Sequence, residues 1–343
     1  MPLFKPDRQT VFLGTALALA GLIMAFVLMG QKDGEARNQA GTDRQKLAKV
    51  PFDGESAYAV LEQICAIGPR ISGTAGMAKQ QEMLQKHFEG LGGIVELQTF
   101  QGRHPENGQP VQFSNLIITW HPQRQQRILL CAHYDTRPYP DRDPDPRKRH
   151  DPFMGANDGA SGVAVLAEMG RHMMKLKGEM GVDFVLFDAE ELVYDEKRDR
   201  YFLGSEYFAQ SYIANPPGHE YRCAVLLDMV GDANLNIFQE RHSSAWPDVR
   251  PYVEEIWEVA NRLGVREFIP RVRHKVLDDH VKLHEVAGIP ALDIIDFDYP
   301  RPGRRKSYWH TTEDTPDKCS AISLAKVGWV VLEWLKQSAE GDQ

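Results

Sequence analysis

The sequence predicts a three-layer α/β/α domain around a mixed, largely parallel central sheet, preceded by a transmembrane helix. Three observations predict it. Apolar runs of strand length alternate with segments of helical periodicity. Most of those runs, such as Ile128-Leu129-Leu130-Cys131-Ala132 and Ala224-Val225-Leu226-Leu227, are apolar at every position. Strands of that kind are covered on both faces, as in parallel sheets. Finally, Val11 to Gly30 is an uncharged apolar run of twenty residues, the length that spans a bilayer as a helix.

Taken in order, residues 1–10 form a short cytoplasmic N-terminus carrying Lys5 and Arg8, and residues 11–30 a signal-anchor. The run is longer than the apolar core of a cleaved signal, and Met29-Gly30-Gln31-Lys32 offers no small-residue cleavage site. Residues 31–50 are polar and aperiodic, a flexible tether. The globular domain then occupies 51–340, outside the cytoplasm, because large domains translocate largely regardless of flanking charge. Tyr58, Leu61, Ile64 and Cys65 mark its first helix, which Gly68-Pro69 stops. Helices are expected at 77–91, 160–176, 204–213, 249–263, 279–287 and 321–337. Strands are expected at 94–100, 113–119, 127–132, 182–188, 223–228 and 290–295. Asp141 to Asp151 is charged and broken by prolines, which reads as a solvated surface loop.

A formal charge of −8 argues against nucleic acid as a partner. Four cysteines, Cys65, Cys131, Cys223 and Cys319, show no CxxC spacing. They exclude a zinc ribbon and a disulfide-dense scaffold, while a single disulfide is compatible with export.

The chemistry gathers where the strands end. His133-Tyr134-Asp135 follows the 127–132 strand, and residues i and i+2 share a face, as a ligand imidazole and its carboxylate partner would. Asp158 sits in Gly155-Ala156-Asn157-Asp158-Gly159-Ala160-Ser161-Gly162, with a helix N-cap as its alternative role. Phe184-Val185-Leu186-Phe187 runs into Asp188-Ala189-Glu190-Glu191. Neighbouring acids on a strand face opposite ways, so one can hold a metal and the other move protons. Asp228 ends another run, and Trp309-His310-Thr311-Thr312 precedes Asp314. Open α/β sheets bring such ends together. Imidazoles and carboxylates without a thiolate suit a catalytic zinc with an open position.

The ordered motifs HYD, GANDGASG, DAEE, LLDMVGD and WHTTEDT, with the early GPRISGTAG, resemble the M28 zinc-peptidase family over about residues 55–337. That family contains aminopeptidases and glutaminyl-peptide cyclotransferases. The resemblance implies a zinc-aminopeptidase-like fold, with His133, Asp158, Glu191, Asp228 and His310 at the metal-site positions. It implies Glu190 as the catalytic acid/base and Asp135 as the partner of a ligand histidine. In two-zinc aminopeptidases the residue at Asp158 bridges the metals. In cyclotransferases one zinc is held by the counterparts of Asp158, Glu191 and His310. Three features resemble the cyclotransferase branch: the twelve-residue insert Leu192 to Leu203 before Gly204-Ser205, the Asp278-Asp279-His280 run, and Trp309 beside His310. The resemblance gives Asp278 a place in the catalytic hydrogen-bond network, and Trp309 and Tyr299 places in the substrate pocket. Inside the insert, Tyr194 or Tyr201 stands in for the tryptophan of the cyclotransferases. The expected reaction is cyclisation of N-terminal glutamine of peptides to pyroglutamate, with one zinc. The alternatives are aminopeptidase hydrolysis with two zincs, and an inactive binding ectodomain.

Overall fold

The computed structural model describes residues 46–298 and 307–340. The expected signal-anchor at 11–30, most of the tether and Tyr299 lie outside the described residues. Among the described residues no helix is long and apolar enough to cross a membrane. Contacts divide the chain into two units, Met1–Lys49 and Val50–Gln343.

Two helices open the domain, α1 (Gly54–Ala66) and α2 (Ala75–Gly90). Strands β1 (Ile94–Arg103), β2 (Pro110–Trp120) and β3 (Gln126–His133) follow, then α3 (Ala160–Met173), β4 (Gly181–Phe187), α4 (Leu203–Ala214) and β5 (Glu220–Asp228). The last part holds β6 (Ile237–Gln239), α5 (Arg241–Ala245), α6 (Arg250–Leu263), β7 (Phe268–Val272), α7 (Asp279–Ala287), β8 (Ala291–Ile295) and α8 (Ala321–Glu340). The main sheet runs β1-β2-β4-β3-β5-β8. Strands β4, β3, β5 and β8 are parallel neighbours, while β1 and β2 join antiparallel at one edge. The sheet is therefore mixed, with a parallel core. The short β6 and β7 form a separate parallel pair that sequence periodicity did not reveal. Three- and five-residue strands carry too few alternations to register.

Side-chain alternation explains the three layers. Ile128, Leu130 and Ala132 of β3 point into the larger core, with Leu61, Phe88, Val163 and Val331 from the helices. Leu129 and Cys131 point the other way, to Phe208 of α4 and Leu283 of α7. Both faces are covered, which is why every position of these strands had to be apolar. Met169 and Met173 are core residues, whereas Met174 is exposed. All four cysteines are buried free thiols, so the disulfide that export would allow is absent.

Candidate metal centre and active site

The parallel strands end on one side, and their C-terminal ends carry the candidate ligands. His133 is the last residue of β3 and Asp228 the last of β5. Asp158 precedes α3, but it is not the helix N-cap. Gly159 takes that place, with φ of 89° and no side-chain cap. A Cβ at Gly159 would stand 2.7 Å from the Asp135 carbonyl oxygen and 3.1 Å from the His133 ring, so glycine permits the approach that frees Asp158 for the histidines.

The acidic pair departs from its expected geometry. Strand β4 stops at Phe187, and Ala189 turns the backbone left-handed at φ 55°. Glu190 and Glu191 thus point into the site from a bend, not from opposite faces of a strand. Asp135 holds that bend: its Oδ1 accepts from the Glu190 N–H and its Oδ2 from the Glu191 N–H, both at 3.1 Å. Asp188 supports it from behind, accepting from Ser72 Oγ at 2.6 Å and the Ser114 N–H at 2.8 Å, and Ser72 Oγ in turn accepts from the Ala189 N–H. Five non-glycine residues have positive φ among the described residues. Four of them, Ala189, Phe202, Met229 and His310, border or belong to the site. Stored backbone strain concentrates where the chemistry is.

All five candidate metal ligands meet. His133 Nε2 lies 3.2 Å from both Asp158 Oδ1 and Asp228 Oδ1. His310 Nε2 lies 3.3 Å from Asp158 Oδ2 and 3.5 Å from Glu191 Oε2. Ligand atoms 2.0–2.1 Å from a tetrahedral zinc sit about 3.3 Å from one another, so both donor sets fit the metal. Asp158 offers one oxygen to each set, as a bridging carboxylate does. The far nitrogens of both imidazoles also face carboxylates, His133 Nδ1 to Asp135 at 3.6 Å and His310 Nδ1 to Asp141 at 3.4 Å.

Electrostatics follow from packing so many acids together. Burial opposes protonation of His133, but Asp135, Asp158 and Asp228 outweigh it and raise its pKa well above the usual value. Burial raises the Glu190 carboxyl well above the carboxylate range, with Glu191, Asp278 and Asp279 adding to it against the opposing pull of His133. Asp278 is raised likewise, by burial and by Asp228 and Asp279.

These groups line a small cavity of about 100 Å³. Glu190 and Asp278 stand on its wall with His133, Asp158, Glu191, Asp228 and His310, and Val276, Leu277, Ile295, Phe297 and Trp309 supply apolar surface. Trp309 lies 4.1 Å from the His310 ring, centroid to centroid, and meets Phe297 edge-on at 5.2 Å. Tyr201 of the insert lines the cavity, whereas Tyr194 packs on His104 and Tyr139 instead. The second acid of the Asp278-Asp279-His280 run accepts from Ser205 Oγ, linking α7 to α4. His280 is buried away from the ligands, 3.5 Å from Glu240.

The 141–151 loop is not simply a solvated excursion. Asp143 is buried, accepting from Thr312 N–H and Oγ1 at 3.0 and 2.7 Å, and Asp141 faces His310. Arg70 is fully buried and donates to the carbonyls of Met154 and Gly155, fixing the turn before Asp158. Asp314 accepts from the N–H groups of Asn157 and Asp158 at 2.8 and 3.1 Å. Arg70, Arg137, Asp141 and Asp143 had no assigned role in the sequence, where Met154 and Gly155 lie more than 80 residues from Arg70 and Thr312 lies 169 from Asp143.

A family model, Peptidase family M28, matches residues 115–335. The chain belongs to peptidase family M28. Within it, the chain is 27% identical to a glutaminyl-peptide cyclotransferase of Bothrops jararaca over 301 residues, covering 78% of this chain and 77% of that protein. A glutaminyl cyclase of Fimbriiglobus ruber superposes with a TM-score of 0.78 at 42% identity, covering 83% of this chain and 95% of that one. A leucine aminopeptidase precursor of Bacteroides thetaiotaomicron superposes with a TM-score of 0.75 at 31% identity, covering 86% and 99%. Both branches of this M28 fold are thus represented among its structural neighbours.

Proposed function

We propose that the protein is a zinc-dependent glutaminyl-peptide cyclotransferase that converts N-terminal glutamine of peptides to pyroglutamate and releases ammonia. The carrying observation is the cavity itself: one small chamber, walled by Trp309, Phe297 and Leu277, in which Glu190 and Asp278 stand together beside the ligand set. Likeness to solved glutaminyl cyclases and to curated cyclotransferases supports the same reading.

Asp158, Glu191 and His310 would hold one zinc, the count proposed here. Bound there, zinc supplies Lewis-acid polarisation of the γ-carboxamide carbonyl. The remaining work falls to the chain. Trp309 and Phe297 pack the glutamine side chain and keep water from competing with the amine. Glu190 accepts a proton as the α-amine nitrogen bonds to the carboxamide carbonyl carbon, Cδ, then returns it to the amide nitrogen as the Cδ–N bond breaks, so that ammonia departs neutral. Asp278 hydrogen-bonds in the network that steadies the leaving group. The test is to incubate the protein with a Gln-peptide and a Leu-peptide. Ammonia release without loss of the first residue supports cyclisation; a freed amino acid sinks it in favour of hydrolysis.

The same proposal includes residues 11–30 as a membrane anchor, with the catalytic domain of 51–340 outside the cytoplasm. Carbonate-resistant membrane association, lost when 1–45 are removed, is the expected result. Release of the intact chain by carbonate would refute it.

A further inference from the structure

One buried cation stands against this acidic site without an assigned part in the chemistry. The Arg137 side chain is 1% exposed. Its backbone N–H donates to Glu191 Oε1 at 2.7 Å, and its Nη1, which has no hydrogen-bond partner, lies 3.7 Å from Glu191 Oε2. The other side of the fork grips Asp141, Nε at 2.8 Å and Nη2 at 3.1 Å. Asp141 Oδ1 in turn lies 3.4 Å from His310 Nδ1. Arg137 therefore reaches two of the three proposed zinc ligands, one directly and one through a carboxylate.

The same guanidinium also meets the insert. Nη2 donates to Tyr201 Oη at 3.2 Å and reaches Glu196 Oε1 at 3.5 Å. Glu196 accepts from Arg142 Nη2 at 2.8 Å, and the Arg142 guanidinium lies over the Trp309 ring at 4.3 Å. The Arg142 N–H donates to the His310 carbonyl at 3.1 Å.

We propose that Arg137 is a positioning residue that sets the spacing of Glu191 and His310 and ties the Leu192–Leu203 insert to those two ligands. The proposal rests on the zinc-cyclase reading above. Its physical basis is the planar fork: a bidentate guanidinium–carboxylate pair fixes direction as well as distance, and an ammonium cannot reproduce it. Removing the outer partner of a ligand imidazole typically weakens metal binding by about 10–100-fold.

The experiment measures zinc affinity by chelator competition on the full chain, with kcat and KM at limiting and saturating zinc. Arg137→Gln keeps the backbone N–H on Glu191 but loses the fork. Its zinc affinity is expected to fall about 10–100-fold, with kcat recovering at saturating zinc because Glu190 is untouched. Asp141→Asn should fall in the same direction, and the double variant should lose less than the sum of the two singles, since the two share the Arg137–Asp141 contact. Glu196→Gln, which loosens only the insert side, should raise KM and leave zinc affinity as it was. The proposal is overturned if Arg137→Gln and Asp141→Asn both hold zinc as the native protein does, if their losses add fully, or if excess zinc restores nothing. Should Arg137→Gln fail to fold, Asp141→Asn and Arg137→Lys decide by the same affinities. A native protein that takes up no zinc, or frees no ammonia from a Gln-peptide, refutes the zinc-cyclase reading instead.

Discussion

Asp158 divides the centre into two unlike halves. On the Oδ1 side stand His133 and Asp228, each the last residue of a central parallel strand. On the Oδ2 side stand His310 and Glu191, both on irregular segments with Ala189 and His310 in left-handed conformations. The strand-borne half is surrounded by acids, Asp135, Asp278 and Asp279 among them, and His133 is the cation its surroundings favour. The loop-borne half has Arg137 against Glu191 and Asp141. A strand-borne half with excess negative charge and a loop-borne half with a built-in cation are suited to different tasks. On the proposed function, the first would anchor Asp158 and the second would meet substrate, through Trp309, Glu190 and the insert.

The largest effects should expose that division. Replacing His310 or Glu191 by alanine is expected to abolish both zinc retention and turnover, whereas His133→Ala should leave zinc bound, as metal analysis after gel filtration would report. Equal loss of zinc from the two histidine variants would erase the distinction between halves. Glu190→Gln should lower kcat by about 10²–10⁴-fold with zinc content unchanged. Full activity in that variant would remove Glu190 from the reaction.

The bend that carries Glu190 also gives a stability prediction. Asp188 is raised to about 7 by burial and by Asp135, with Ser72 and the N–H groups of Ser114 and Ala189 opposing. The folded pKa lies above the unfolded value near 3.9. The folded state therefore keeps the proton while the unfolded state releases it. The contribution is fully present below about pH 3.9, declines as pH rises toward 7, and is gone above that. Its size is about 4 kcal/mol. Urea midpoints from pH 4 to pH 8 should fall in the native protein more than in Asp188→Asn. Parallel curves for the two proteins would mean that Asp188 ionises freely.

How much of this could be read from the sequence depends on where a residue's partners lie. His133 and Asp228 were legible because each follows an apolar run, and strand ends converge in this class of fold. Glu190 and Glu191 line the cavity but enter it from a bend and not from opposite faces of a strand, since nothing in Asp-Ala-Glu-Glu announces a left-handed alanine. The Asp141 to Asp151 stretch read as surface because charge and proline usually mean exposure. Its partners Thr312 and His310 lie some 170 residues on and are known only after folding. Buried arginines share that problem: Arg70 and Arg137 look like any polar residue until the carbonyls and carboxylates around them are known.

The two smallest predictions set one half against the other. Gly162 belongs to the strand-borne half, in α3, where an added Cβ would run into the carbonyl oxygen of Leu227 beside Asp228. Gly162→Ala should destabilise by about 1–3 kcal/mol, read as a lower Tm, with little change in KM. Trp309 belongs to the loop-borne half and is partly exposed, touching His310, Phe297 and the Arg142 guanidinium. Trp309→Phe keeps an aromatic wall but loses ring area and the better cation–π face, about 1 kcal/mol between them. Because these contacts line the chamber and not the core, the loss should fall on KM for Gln-peptides, roughly fivefold at 1.4 kcal/mol per tenfold, with Tm nearly unchanged. A Trp309→Phe protein that melted early with native KM would place that wall in the scaffold and leave Leu277 and Phe297 to hold the substrate.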